Sequence, residues 1–226
     1  MTLDELVEEG AALSRPCFLL REGRGERLAG YWGGEREDML NTIPPEATAV
    51  ASRTHVLTLD PALFAELGLH RLGDPIGLFA TKFRDGHACV RAERASLPAF
   101  PDISCSGRRL FALPGSSFPP FEAVCLYGGE GVGRWLRSLG LERHQYEEAL
   151  GEEVAREYQG EFTRRAPFYS DVVDVIVGGW HMMWPDDDFY VPREMRLLAT
   201  TLRDAEPYLE VWLSESGNVS VKERTT

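Results

Sequence analysis

The residues best suited to chemistry gather in one stretch, Gly178-Gly179-Trp180-His181-Met182-Met183-Trp184-Pro185-Asp186-Asp187-Asp188-Phe189-Tyr190. A histidine close to carboxylates suits acid–base work, so His181 with Asp186, Asp187 and Asp188 is the candidate catalytic group. The same acids could hold a cation or a basic group, with Trp180 and Trp184 as walls. Packing is the simpler reading. Aromatic-rich segments mostly fill cores, and the acids would then form a solvated loop. No metal is expected there, because neither EF-hand spacing nor a second histidine accompanies the acids.

Other constellations are weaker. Gly128-Gly129-Glu130-Gly131-Val132-Gly133 reads as a strand-to-helix turn. It is not G-x-G-x-x-G and lacks a Lys-Ser/Thr pair, and Glu130 would repel a phosphate, so a plain turn is the better account and no cofactor is expected. His144 and Glu148 stand one helical turn apart, but within a charge run that reads as a solvated face. Cys125 could pair with His87 or His181 as a nucleophile, yet a buried, inert thiol fits an apolar run better. Ser116-Ser117 lies outside any G-x-S-x-G motif.

Composition narrows the partners. Acids outnumber bases 36 to 24 over 226 residues, for a formal charge of −12. A nucleic acid or an anionic membrane surface needs a basic footprint, so both are disfavoured, and a basic protein partner is favoured. No apolar run reaches membrane-spanning length, and Met1–Leu6 has neither the basic nor the apolar region of a signal peptide. Cys17, Cys89, Cys105 and Cys125 form no C-x-x-C pair, which predicts reduced, buried thiols in the cytoplasm.

The elements that must position these residues follow from pattern. Thr2-x-x-Glu5 predicts a capped first helix with Leu3, Leu6, Val7 and Ala11 at helical spacing. Cys17–Leu20 and Arg27–Trp32 predict strands joined as a hairpin. Gly33–Pro45 reads as a loop, followed by strands at Thr48–Ser52 and Thr54–Leu59. Asp60-Pro61 predicts a short helix stopped at Gly68. Ile76–Phe83 and His87–Arg91 predict a hairpin about Asp85-Gly86. A strand is expected at Arg109–Leu113 within the Pro/Ser/Gly-rich stretch 97–120. Phe121–Tyr127 reads as a strand and Gly131–Leu139 as a helix. A longer acidic helix runs from Glu142 to Gly160, with Tyr146, Ala149, Leu150, Val154 and Tyr158 on one stripe. Val172–Val177 reads as a buried strand, and Pro192 as the start of a helix through Met195, Leu198, Ala199 and Leu202. A three-residue loop, Ser216–Asn218, would close a C-terminal hairpin that sets Val221 opposite Leu213.

These elements predict an α+β fold with a mixed, largely antiparallel sheet and helices packed mainly on one side. A single domain over 1–226 is expected, with 97–120 as the place for any internal boundary. A non-catalytic cytoplasmic binding protein for a basic protein partner ranks first, a bacterial toxin-neutralising (immunity) protein being one form. Trp180, Trp184 and Trp135 would anchor the contact, with Glu147, Glu148 and Glu152 supplying its charge. An enzyme with a cleft at Trp180–Tyr190, dependent on a metal or small molecule, and a structural subunit of a homo-oligomer are the alternatives.

Overall fold

The computed structural model of the chain describes residues 2–32, 54–68, 76–82, 88–93, 107–129, 131–141, 145–165, 174–180, 195–201, 208–214 and 219–224. The expected loop and strand between Gly33 and Ser52 lie outside these residues. So do the Asp85-Gly86 turn and the stretch 181–194.

The fold is α+β. Its strands are β1 (Arg15–Glu22), β2 (Leu28–Trp32), β3 (Thr54–Leu59), β4 (Ile76–Lys82), β5 (Ala88–Glu93), β6 (Arg108–Ser117), β7 (Val175–Gly178), β8 (Met195–Thr201), β9 (Tyr208–Ser214) and β10 (Val219–Arg224). Its helices are α1 (Leu3–Ala12), α2 (Pro61–Glu66), α3 (Phe121–Tyr127), α4 (Val132–Ser138), α5 (Tyr146–Leu150) and α6 (Glu152–Arg165). The strands form one sheet in the order β10-β9-β8-β7-β1-β6-β2-β3-β4-β5. The β2–β3, β2–β6, β3–β4, β4–β5, β7–β8, β8–β9 and β9–β10 ladders are antiparallel. The end strands β5 and β10 lie close together, so the sheet curls back towards itself.

Two compact units share the chain, each built from segments distant in sequence. One comprises Phe18–Pro114, Asp171–Gly178 and Val191–Thr226 and holds most of the sheet. Its core includes Leu20, Leu57, Leu59 and β7, all buried. Asp60 caps α2 by accepting a hydrogen bond from Ala62 N at 2.9 Å, and Pro61 opens the helix as expected. α2 packs against β7 and buries Leu63 and Phe64. Buried Asp174 accepts a hydrogen bond from Glu22 N at 2.6 Å, which gives an otherwise costly carboxylate a donor.

The other unit comprises Met1–Cys17, Gly115–Ser170 and Gly179–Tyr190, and holds every described helix except α2. Thr2 and Glu5 make the expected capping box at α1. Tyr158 sits at its centre with ring centroids 5.5 Å from Phe118 and 6.0 Å from Phe121. Its hydroxyl donates to Pro119 O at 3.0 Å.

Five expectations need correction. β1 and β2 do not pair as a hairpin, because β6 runs between them in the sheet. Phe121–Tyr127 is the helix α3, not a strand. Pro120 sets its start, and Phe121, Val124 and Cys125 bury at i, i+3 and i+4, a spacing that an unbroken apolar run conceals. The acidic helix is two helices, α5 and α6. Gly151 at φ +102° separates them, a backbone conformation that glycine adopts without strain, whereas Gly160 continues α6. Met195–Thr201 is the strand β8, not a helix, held by ladders to β7 and β9. In the C-terminal hairpin Val221 faces Val211, and Val219 faces Leu213. The register is shifted by two positions from the expected one. A shift of two keeps the parity, so Leu209, Val211, Leu213 and Val221 still fall on one face of the ladder.

Candidate functional site

Within Gly178–Tyr190 the described residues end at Trp180. His181, Trp184, Asp186, Asp187 and Asp188 lie outside them. Trp180 itself is held on several sides. Its main-chain N–H donates to Ser117 Oγ at 3.0 Å, and its indole N–H donates to Leu13 O at 2.8 Å. The Arg15 guanidinium stacks 3.4 Å over its ring, and the Tyr127 ring lies 5.8 Å away. Only 5% of its surface is exposed, so the ring serves the packing of the helical unit.

The glycine-rich segment joins helix α3 to helix α4 rather than a strand to a helix. Its anion position is already filled from within the chain. Glu9, on α1, accepts hydrogen bonds from Val132 N at 2.5 Å and Gly133 N at 3.4 Å. A Cβ on Gly131 would stand 2.6 Å from Glu9 Oε2, and one on Gly128 would collide with the same carboxylate. The glycines therefore let the main chain close on Glu9. A carboxylate at the first turn of a helix satisfies free amides and suits the helix dipole. Sequence reasoning missed Glu9, since nothing local in α1 points to a partner 123 residues away.

Of the four cysteines, Cys17 and Cys125 are free and buried, and the side chains of Cys89 and Cys105 lie outside those described. Burial pushes Cys17 up to about 11. Burial, then the nearby Glu122 charge, raises Cys125 further. A thiol kept protonated is a poor nucleophile, so Cys125 is ill suited to nucleophilic attack. His87, His144 and Cys105 lie outside the described residues. Among the described residues no cluster of three or more His, Cys, Asp or Glu could hold a metal. No described helix is long and apolar enough to cross a membrane.

What remains is a charged surface on the helical unit. Glu147 and Glu148 on α5, and Glu152, Glu153 and Glu157 on α6, are all exposed. None of them has an ion-pair partner among the described residues. Glu161 differs, because Arg164 and Arg165 both pair with it and hold its carboxyl below the usual range. Trp135 on α4 is 37% exposed and Leu139, its neighbour one turn on, 43%.

Glu122, on α3, was also missed, although a lone acid within Phe121–Tyr127 was a visible anomaly. Burial raises its carboxyl, and the Glu147 charge adds to that shift, against an opposing hydrogen bond to its own main chain. A carboxyl raised by folding contributes stability below its unfolded value and loses that contribution as pH rises through the folded value. Glu122→Gln should therefore raise the melting temperature at pH 7, with the gain shrinking toward zero as pH falls to about 4. Thermal unfolding of both proteins across that range checks it, and a gain independent of pH contradicts it.

The chain matches no protein-family model, and no curated protein matches it in sequence.

Proposed function

We propose that the protein is a non-catalytic, acidic binding protein that engages a basic protein partner through its helical unit. The observation that carries this reading is the row Glu147, Glu148, Glu152, Glu153 and Glu157, exposed and without ion pairs among the described residues. Unpaired surface acids add little to the stability of a lone protein, and like charges on adjacent turns cost some. Aligned on one unit of a chain with net charge −12, they would speed encounter with a basic surface and make it salt-sensitive. Free, buried Cys17 and Cys125 fit a reducing cytoplasmic setting. Neutralisation of a basic toxin is one form that such binding takes.

The test is affinity capture from native lysate at low and high salt, with recovered proteins identified by mass spectrometry, beside a thermal-shift screen of metals and metabolites. The expected result is a basic protein retained at low salt, released at high salt, and not retained by a folded Glu147→Lys, Glu148→Lys, Glu152→Lys variant. A metal or metabolite shift abolished by His181→Ala, with no salt-sensitive partner, would overturn the reading in favour of an enzyme.

A further inference from the structure

We propose that the flank of α4 bearing Trp135 and Leu139 anchors a lysine- or arginine-rich segment of the partner protein that itself carries an apolar side chain. This inference rests on the binding reading and names the place and the chemistry of the contact.

Helix α4 buries Val132, Gly133 and Leu136 against the unit. At 100° per residue, Trp135 and Leu139 fall about 40° apart on one flank of that face. Arg137 falls on the opposite flank, where its guanidinium donates to Cys125 O at 2.8 Å and Gly128 O at 2.6 Å. It is committed to holding the α3–α4 turn, which leaves the Trp135–Leu139 flank apolar. Arg134, the other exposed arginine of α4, lies about 100° around the helix from Trp135. Helix α5 packs against α4 and presents exposed Glu147 and Glu148, and α6 packs against α5 with Glu152 and Glu153. An exposed indole on a unit that also bears an acidic surface has the composition of an interface anchor with a charged rim.

Charge decides between occupants. A second copy would bring another chain of net charge −12, and its own glutamates, against this surface. An anionic lipid surface would be repelled in the same way. A basic segment with one apolar side chain satisfies both features, its cations meeting Glu147 and Glu148 while the apolar group covers Trp135 and Leu139.

Among the described residues the remaining exposed large apolar side chain, Leu113 on β6, provides the control. It is 44% exposed, and its strand carries exposed Arg108 and Arg109 instead of acids. A fluorescein-labelled amphipathic helical peptide of lysine and leucine is the probe, titrated into the full chain by anisotropy at low and high salt. Trp135→Ala should weaken binding by at least about tenfold at each salt concentration, as loss of a central aromatic anchor does. Leu113→Ala should leave binding unchanged, and Glu147→Lys with Glu148→Lys should flatten its salt dependence. Far-UV circular dichroism verifies that each variant is folded. Wild-type affinity in Trp135→Ala, with binding still lost on charge reversal, would overturn the anchor and leave the binding reading standing. Equal weakening by Trp135→Ala and Leu113→Ala would show unspecific adsorption and overturn it too. No salt-sensitive binding to the wild-type chain would overturn both. Sedimentation of the free protein as a dimer that Trp135→Ala dissociates would assign this flank to self-association instead.

Discussion

Tyr158→Ala should destabilise the protein by about 3–5 kcal/mol, the range for removing a large aromatic side chain from a core. Tyr158 is fully buried in α6, and its ring packs on Phe118 and Phe121. Gly10 of α1 adds a further constraint, since a Cβ there would stand 2.8 Å from Phe118 Cζ and would also collide with the Tyr158 hydroxyl. One side chain thus joins α1, α3 and α6. The truncation would also leave Pro119 O without the hydroxyl that now donates to it at 3.0 Å. Tyr158→Phe separates these contributions. It keeps the ring and loses the hydrogen bond, so it should cost about 1–3 kcal/mol. Urea unfolding measures both, with an unchanged denaturant slope indicating that native compactness is retained. A cost below about 1 kcal/mol for Tyr158→Ala would contradict this packing of α6.

Features set by a few adjacent residues were legible in the sequence. The Thr2–Glu5 box, the Asp60-Pro61 start of α2 and the Gly68 stop after it depend on residues within one turn of the backbone they cap, and each forms as expected. Features set by distant pairing were not legible. Arg27–Trp32 is strand-like by itself, but its neighbours in the sheet are β3 and β6, and the β6 partner residues Arg108–Phe111 come from far along the chain. Met195, Leu198 and Ala199 satisfy a helical spacing, yet ladders on both sides make β8 a strand, and tertiary pairing overrides so short a pattern. Gly151 and Gly160 look alike in sequence, and only the positive φ at Gly151 tells which one breaks the helix.

The surface was legible in a different degree. A row of glutamates opposite an apolar stripe predicted an exposed acidic face, and Glu147, Glu148 and Glu152 are exposed as that pattern requires. The break at Gly151 distributes them over two helices instead of one. Glu9 and Glu122 were not legible, because what matters about them is the tertiary neighbour: the amides of α4 for one, and burial beside Glu147 for the other.

Trp180→Ala and Trp135→Ala should part company in the same unfolding experiment. Both tryptophans were candidate interface anchors by sequence, and indole count alone cannot separate them. Trp180 is 5% exposed, and its truncation removes a buried indole, the hydrogen bond to Leu13 O and the Arg15 stack, for a cost of about 3–5 kcal/mol. Trp135 is 37% exposed, so its truncation removes a smaller buried area and should cost less than Trp180→Ala, about 1–2 kcal/mol. Trp180→Phe refines the first figure. It keeps an aromatic ring beneath Arg15 but leaves Leu13 O without its indole donor, so it should fall between wild type and Trp180→Ala. The peptide titration then reverses the order. At a temperature where Trp180→Ala remains folded, its affinity for the basic peptide should match wild type, while Trp135→Ala should be weakened about tenfold. A Trp180→Ala protein of wild-type stability that has lost the peptide would place the anchor at Trp180, and the burial of that ring would no longer describe the protein in solution.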